Sequence, residues 1–306
     1  MSSTDQASQS ESKAVVFVRR LISSIVLLGV VFYGLLTGGT ISVVLVGGVI
    51  LLLNIAGLLE FYSMVNANGL PRFKWLGLAG GVTLVSVLFL HLSGWVKAPV
   101  SATELEICIL AMLLLLLLGW RVFVHPAPSA FHMVGNTFLG VLYVSWLLGF
   151  ILKIFFFHTT KGAAFDGGVC LLFFIVVTKC SDIGAYVLGS LIGRNKMIPA
   201  VSPAKTWQGF AGAIMFSTGA AMGMVHLWGD DQLGGMSLAH AVVLGPVLAV
   251  GGVLGDLVES VFKRDSGVKD SGSFFPGIGG MLDLIDSLLF NAPLMYLYLR
   301  LFLFND

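Results

Sequence analysis

Long apolar stretches alternate with short polar connections from one end of the chain to the other. A helix that crosses a hydrocarbon layer of ~30 Å needs roughly 20 residues. Nine stretches qualify, at residues 21–38, 41–64, 75–94, 106–124, 135–156, 167–190, 207–228, 237–261 and 281–303. Ahead of them, "MSSTDQASQSES" is polar, Ser-rich and without large apolar side chains, so residues 1–13 are expected to be a disordered tail. Lys13, Arg19 and Arg20 precede the first apolar run as they would in a signal peptide. No small-residue cleavage site follows, however, and an uncleaved first helix is expected.

Composition turns this pattern into a fold class. Of 306 residues, 57% are hydrophobic, while Lys and Arg number 17 and Asp and Glu 16. So few charges cannot cover the surface of a soluble domain of this size, so lipid must solvate most of the chain. The expected fold is an all-α polytopic integral membrane protein. A net charge of +1 excludes a strongly basic nucleic-acid binder, and no nucleic-acid partner is expected. Cys108, Cys170 and Cys180 fall inside apolar runs, away from paired ligand spacing, which argues against a disulfide framework or a zinc site.

Charge also orients the chain. With the N-terminus on the cytoplasmic side, twelve Lys and Arg residues collect in the inner tail and loops; Lys97, Lys153, Lys161 and Arg300 lie outside, and Lys179 within the sixth span. This bias predicts nine crossings with an inside N-terminus. The chain further divides in character. Residues 14–165 read as plain apolar scaffold, whereas 166–306 carry ionisable residues and glycines inside or at the ends of the helices and read as a catalytic region.

A carboxylate in a membrane helix costs roughly 2.5–3.5 kcal/mol at mid-bilayer and usually faces a polar cavity. In "GGVLGDLVESVFKRDSG", Asp256, Glu259, Ser260 and Lys263 share one face of the eighth span at its inner end. An ordinary solvated helix end is the competing reading. In "GIGGMLDLIDSLLF", Asp283, Asp286 and Ser287 share the first turns of the ninth span. Capping accounts for one acid there, and two facing one way resemble half of a site for a hard divalent cation. The loop between these spans holds Lys263, Arg264 and Lys269 among five glycines, a composition suited to a polyphosphate or, alternatively, to anionic headgroups.

In the sixth span Lys179 and Asp182 stand three residues apart and are positioned to pair, with Tyr186 one turn further on. The following "MIPAVSPAKTWQG" reads as a loop or interfacial turn, in which Ser202, Lys205 and Thr206 precede an inward-going helix and suit phosphate. Gly209, Gly212, Gly219 and Gly223 read as packing glycines. Acidic helix ends and basic glycine-bearing loops at lipid level describe a site where a metal-bound polyphosphate meets a membrane-resident substrate, which favours phosphoryl or nucleotidyl transfer to a lipid headgroup.

The stretch "SVFKRDSGVKDSGSFFPGIGGMLDLID" resembles the signature of the phosphatidate cytidylyltransferases, S-x-x-K-R-x4-K-D-x-G-x2-[LIF]-P-x-H-G-G-x2-D-R-x-D, without a gap. "SDIGAYVLGSLIGRNK", "VSPAKTWQG" and "GDLVES" are similar to further motifs of that family, so the resemblance covers about residues 180–290. Where the pattern has His, Arg and Glu, this chain has Ile278, Leu284 and Gln208. Lys179 is the candidate for a replacement charge from another helix.

The resemblance implies that phosphatidate attacks CTP to give CDP-diacylglycerol and pyrophosphate on the cytoplasmic face of the inner membrane. It implies Mg²⁺ held by Asp256, Glu259, Asp283 and Asp286, with a monovalent cation such as K⁺ nearby. Asp182, Lys205, Lys263, Arg264, Lys269 and Asp270 would be catalytic. Ser202, Lys205, Thr206, Lys263, Arg264 and Lys269 would contact substrate. A homodimer is implied by the resemblance alone. The competing readings are a CTP-dependent polyprenol or phytol kinase, which would release CDP, and a cation-coupled transporter, which would carry its acids near mid-bilayer on broken helices.

Overall fold

The structure is a computed structural model and describes residues 29, 32–123, 129–157, 165–229, 232–267 and 280–304. Among these, eight helices are long and apolar enough to cross a membrane: α1 (Gly39–Ala67), α2 (Lys74–Leu92), α3 (Ala102–Phe123), α4 (Ala130–Phe155), α5 (Gly167–Ile192), α6 (Trp207–Trp228), α7 (Leu238–Asp265) and α8 (Met281–Leu303). They match eight of the nine expected spans to within a few residues at most ends. The other, 21–38, falls largely outside the described residues, although 32–36 are helical. Two helices contain π-helical turns that apolar periodicity does not reveal: Val141–Trp146 within α4 and Leu299–Leu303 at the end of α8.

Residues 196–206 are not a simple loop. Strands β1 (Lys196–Ile198) and β2 (Ser202–Thr206) form an antiparallel hairpin in which Lys196 faces Thr206 and Ile198 faces Ser202. A two-stranded ribbon has only edge strands, so Pro203, which lacks an N–H, is tolerated in β2. Gln208 clamps the base of the hairpin: its Oε1 accepts the N–H groups of Arg194 and Asn195, both at 3.2 Å. An amide oxygen does this as well as a carboxylate would, which accounts for Gln208 standing where the resembled motif has Glu.

Helices α5 and α6 approach most closely at Gly184 and Gly212. A Cβ on either glycine would strike the other's carbonyl oxygen, so the contact requires the missing side chains. Gly209 packs likewise beneath Ala185, whereas Gly219 and Gly223 face open space. The outward side of α3, with Ile107, Met112, Leu115 and Val122 exposed, is apolar where a water-soluble protein would be polar.

The apolar core runs without interruption from the first half of the chain into the second. Phe61 on α1, Tyr143 on the π turn of α4 and Phe262 on α7 form an aromatic trio in which Phe262 packs edge-on against both partners, with Tyr143 and Phe262 centroids 5.2 Å apart. Lys153, counted among the outer-side cations, is buried in α4, and its Nζ lies 2.6 Å from Glu106 Oε2 on α3. The ammonium also sits over the Phe150 ring, 4.5 Å from its centroid, so both charge and stem are covered.

Candidate functional site

Four helix ends meet at one end of the bundle: the C-terminal half of α5, the start of α6, the C-terminal end of α7 and the N-terminus of α8. Helix α8 opens with its backbone donors satisfied from two directions. Gly280 N–H donates to Asp283 Oδ2 (3.3 Å), and Leu282 N–H donates to Glu60 Oε2 on α1 (2.9 Å). This fixes the turn that carries Asp283 and Asp286. Behind it, the buried Asn291 donates to Thr178 Oγ1 on α5 (3.1 Å) and to the Leu248 carbonyl on α7 (2.9 Å), which ties the three helices together below the site.

Five carboxylates and three ammonium groups occupy this junction. Lys205 Nζ lies 3.1 Å from Asp256 Oδ2 and also donates to the Val253 carbonyl. Lys263 Nζ lies 3.2 Å from Glu259 Oε2, one turn away on α7, and bonds Asp283 Oδ1 across to α8. Lys179 Nζ lies 3.0 Å from Asp182 Oδ2. Asp286 is buried and has no lysine or arginine partner among the described residues; its carboxyl instead lies within hydrogen-bonding reach of those of Asp256 and Glu259. Glu259 Oε1, also buried, receives no N–H donor among the described residues.

Among the described residues, these five acids outnumber the three lysines that bond them, and the buried pair Glu259 and Asp286 brings carboxyls together. Such an arrangement is stable only when a cation or protons are shared among the oxygens.

The hairpin forms the opposite wall. Thr206 Oγ1 accepts the Gly209 N–H (3.1 Å) and caps α6, so its oxygen is engaged by the helix, while Ser202 is partly buried on the same strand. Arg264 Nε reaches toward the Val201 carbonyl (3.4 Å) and holds the hairpin turn against the end of α7. A cavity of about 480 Å³ opens between hairpin and helices, lined among others by Asp182, Tyr186, Lys196, Lys205, Thr206 and Asp256. This is within the usual size for a small-molecule site. Acids line one wall and cations the other.

Most of the expected site residues converge: Asp182, Ser202, Lys205, Thr206, Asp256, Glu259, Lys263, Arg264, Asp283 and Asp286 all lie around this junction. Lys269 and Asp270, with Ile278 of the resembled signature, lie outside the described residues. Glu60 and Tyr143 were not anticipated. Glu60 is an ionisable residue within an expected span, the same signal that singled out Asp182. Tyr143 is buried, its hydroxyl has no hydrogen-bond partner among the described residues, and its ring packs on Phe262 of α7, one turn from Glu259. Its placement depends on the π turn, which re-aims side chains within α4.

The carboxylates suit a hard divalent cation, which takes oxygen ligands. Among the described residues, no three His, Cys, Asp or Glu side chains form a ready cage, because Lys205 and Lys263 cover oxygens of Asp256, Glu259 and Asp283. The donor chemistry and the surplus of acids nevertheless fit Mg²⁺, with Asp286 and Glu259 Oε1 as the oxygens not covered by a lysine.

Comparison with known proteins decides what kind of chain carries this site. The sequence pattern of the cytidylyltransferase family matches residues 18–302. The chain belongs to that family. Among its relatives, a phosphatidate cytidylyltransferase of Staphylococcus saprophyticus is 31% identical over 85% of this chain and 93% of its own length. One of Staphylococcus aureus is 30% identical over the same shares. An uncharacterized protein of Escherichia coli, YnbB, is 30% identical over 81% of this chain and 77% of its own. The match to the family pattern extends well upstream of residue 180 and takes in Glu60 and the π turn of α4.

Proposed function

We propose that this chain is a CTP:phosphatidate cytidylyltransferase. The observation that carries the reading is the junction of five carboxylates and three lysines, with Glu259 and Asp286 buried at its base, beside a cavity of about 480 Å³. A site of this kind offers oxygen ligands to a divalent cation and ammonium groups to a triphosphate, at the end of a bundle of membrane-length helices. The names of the Staphylococcus relatives supply the donor and acceptor.

In this reading Asp286, with Asp256, Glu259 and Asp283, would hold Mg²⁺, which supplies charge neutralisation on the triphosphate. Lys205 and Lys263 exchange carboxylate for phosphate oxygens when CTP binds; each already stands beside an acid that the metal would take over. A phosphate oxygen of phosphatidate attacks the α-phosphorus, a new P–O bond forms, and the bond from the α-phosphorus to its bridging oxygen breaks. That oxygen leaves with pyrophosphate. The acceptor monoester is already ionised near neutral pH, so the site needs positioning and electrostatic stabilisation more than a strong base. Arg194, Lys196 and Arg264 gather at the same end of the bundle, which supports a site on the cytoplasmic side of the membrane.

The test is reconstitution of the purified chain in liposomes with phosphatidate, CTP labelled in the cytidine, and Mg²⁺. Equal amounts of labelled lipid and pyrophosphate are expected. Release of CDP with an unlabelled, newly phosphorylated lipid would establish the kinase reading instead.

A further inference from the structure

The three lysines of the site differ in what their ammonium groups have left to offer. An ammonium has three donors and no acceptor. Lys205 and Lys263 each hold carboxylates that face the cavity or the acid cluster. Lys179 spends all three of its donors on protein, at 3.0 Å each: Asp182 Oδ2, the Leu284 carbonyl and Ser287 Oγ. The Ser287 hydroxyl in turn donates to Asp182 Oδ2 at 3.1 Å and closes a ring between α5 and α8. Nothing remains with which Lys179 could grip a phosphate, so its contribution lies in what it holds.

It holds the working parts of the site. Leu284 lies between Asp283 and Asp286 on the opening turn of α8, and Ser287 follows Asp286 directly, its N–H donating to Asp286 Oδ1 at 2.6 Å. That turn contains two carboxylates and no cation of its own. Lys263 answers Asp283 from α7, and Lys179 is the cation that reaches the rest of the turn from α5.

We propose that Lys179 is a positioning residue: from α5 it supplies the positive charge that the opening turn of α8 lacks, and it fixes Asp182 and Asp286 relative to one another. A plain helix-to-helix staple would contribute stability only. A positioning ammonium also sets the geometry on which turnover depends, and partners of this kind are typically worth about 10–100-fold. The kinetic readout rests on the proposed cytidylyl transfer; a second readout, amide exchange, does not.

The full-length chain with Lys179→Met is expected to lose about 10–100-fold in kcat, with KM for CTP within about threefold of the unmodified chain. Amide hydrogen exchange over residues 281–288 should quicken by about tenfold while α1–α4 keep their protection. Adding Leu284→Arg, which returns a cation to the same turn, should recover about tenfold of the lost kcat. Unchanged turnover in Lys179→Met, exchange that rises over the whole chain, or no recovery on adding Leu284→Arg would each overturn the proposal. Should the unmodified chain form no cytidylylated lipid, the cytidylyltransferase reading fails on its own, and the exchange comparison decides the role of Lys179.

Discussion

The protein buries charge in two places, and they are built on opposite terms. Between α3 and α4, Glu106 and Lys153 meet one to one at 2.6 Å, roofed by an aromatic ring. At the junction of α5–α8, five acids share three lysines, and Asp286 has no lysine or arginine partner among the described residues. A matched pair in a dry interior gains little over apolar packing but is costly to break. An unmatched cluster is costly as it stands and persists only when something else completes it. The difference teaches that burial of charge does not by itself mark function in a membrane protein; imbalance does.

Five single substitutions and one double variant would break or sharpen that contrast. Asp286→Asn removes a charge from the unmatched cluster, and turnover should fall on the order of 10³-fold, the scale of losing one preorganised electrostatic stabiliser. The variant should still elute as a folded species in detergent, because the cluster loses repulsion. Lys205→Met or Lys263→Met should cost about 10²-fold in kcat/KM for CTP, since each leaves acids without their counter-charge and triphosphate without a donor. Steady-state kinetics with varied CTP measures it.

Glu60→Gln acts one step further out. It keeps an oxygen for the Leu282 N–H but not the charge at the helix N-terminus, so about a tenfold loss of kcat is expected. Glu106→Gln should behave oppositely to all of these. It strands Lys153 and should lower stability by about 3–5 kcal/mol, while turnover per folded molecule stays within about twofold. Pairing it with Lys153→Met should recover most of the stability, read from denaturation in detergent.

Much of this is legible in the sequence. The lipid requirement makes spans easy to find, and Asp182, Asp256, Glu259, Asp283 and Asp286 stood out as ionisable residues inside or at the ends of apolar helices. Pairing was read correctly where it is local, as for Lys179 with Asp182 three residues apart. What escaped depended on distance in sequence or on backbone detail. Lys205 with Asp256 and Glu60 with Leu282 join residues 51 and 222 positions apart, which no spacing rule reaches. The β1–β2 hairpin was missed because two prolines read as turn, and Tyr143 because a π turn shifts the helical phase that periodicity assumes. Glu60 and Glu106 carried the same signal as the second-half acids. The division into scaffold and site set them aside, although Glu60 caps the helix that carries Asp283 and Asp286.

The bond from Glu60 to Leu282 has a consequence for biosynthesis. Its two partners are separated by 222 residues, so at ~5–20 residues per second the carboxylate enters the bilayer roughly 10–45 seconds before the helix it caps. Through that interval the nascent chain carries an acidic side chain in its first described span with its eventual donor still to be translated. The insertion machinery therefore has to shelter α1, or leave it beside water, until the last helix arrives, and the catalytic junction cannot be assembled piecemeal from the ribosome.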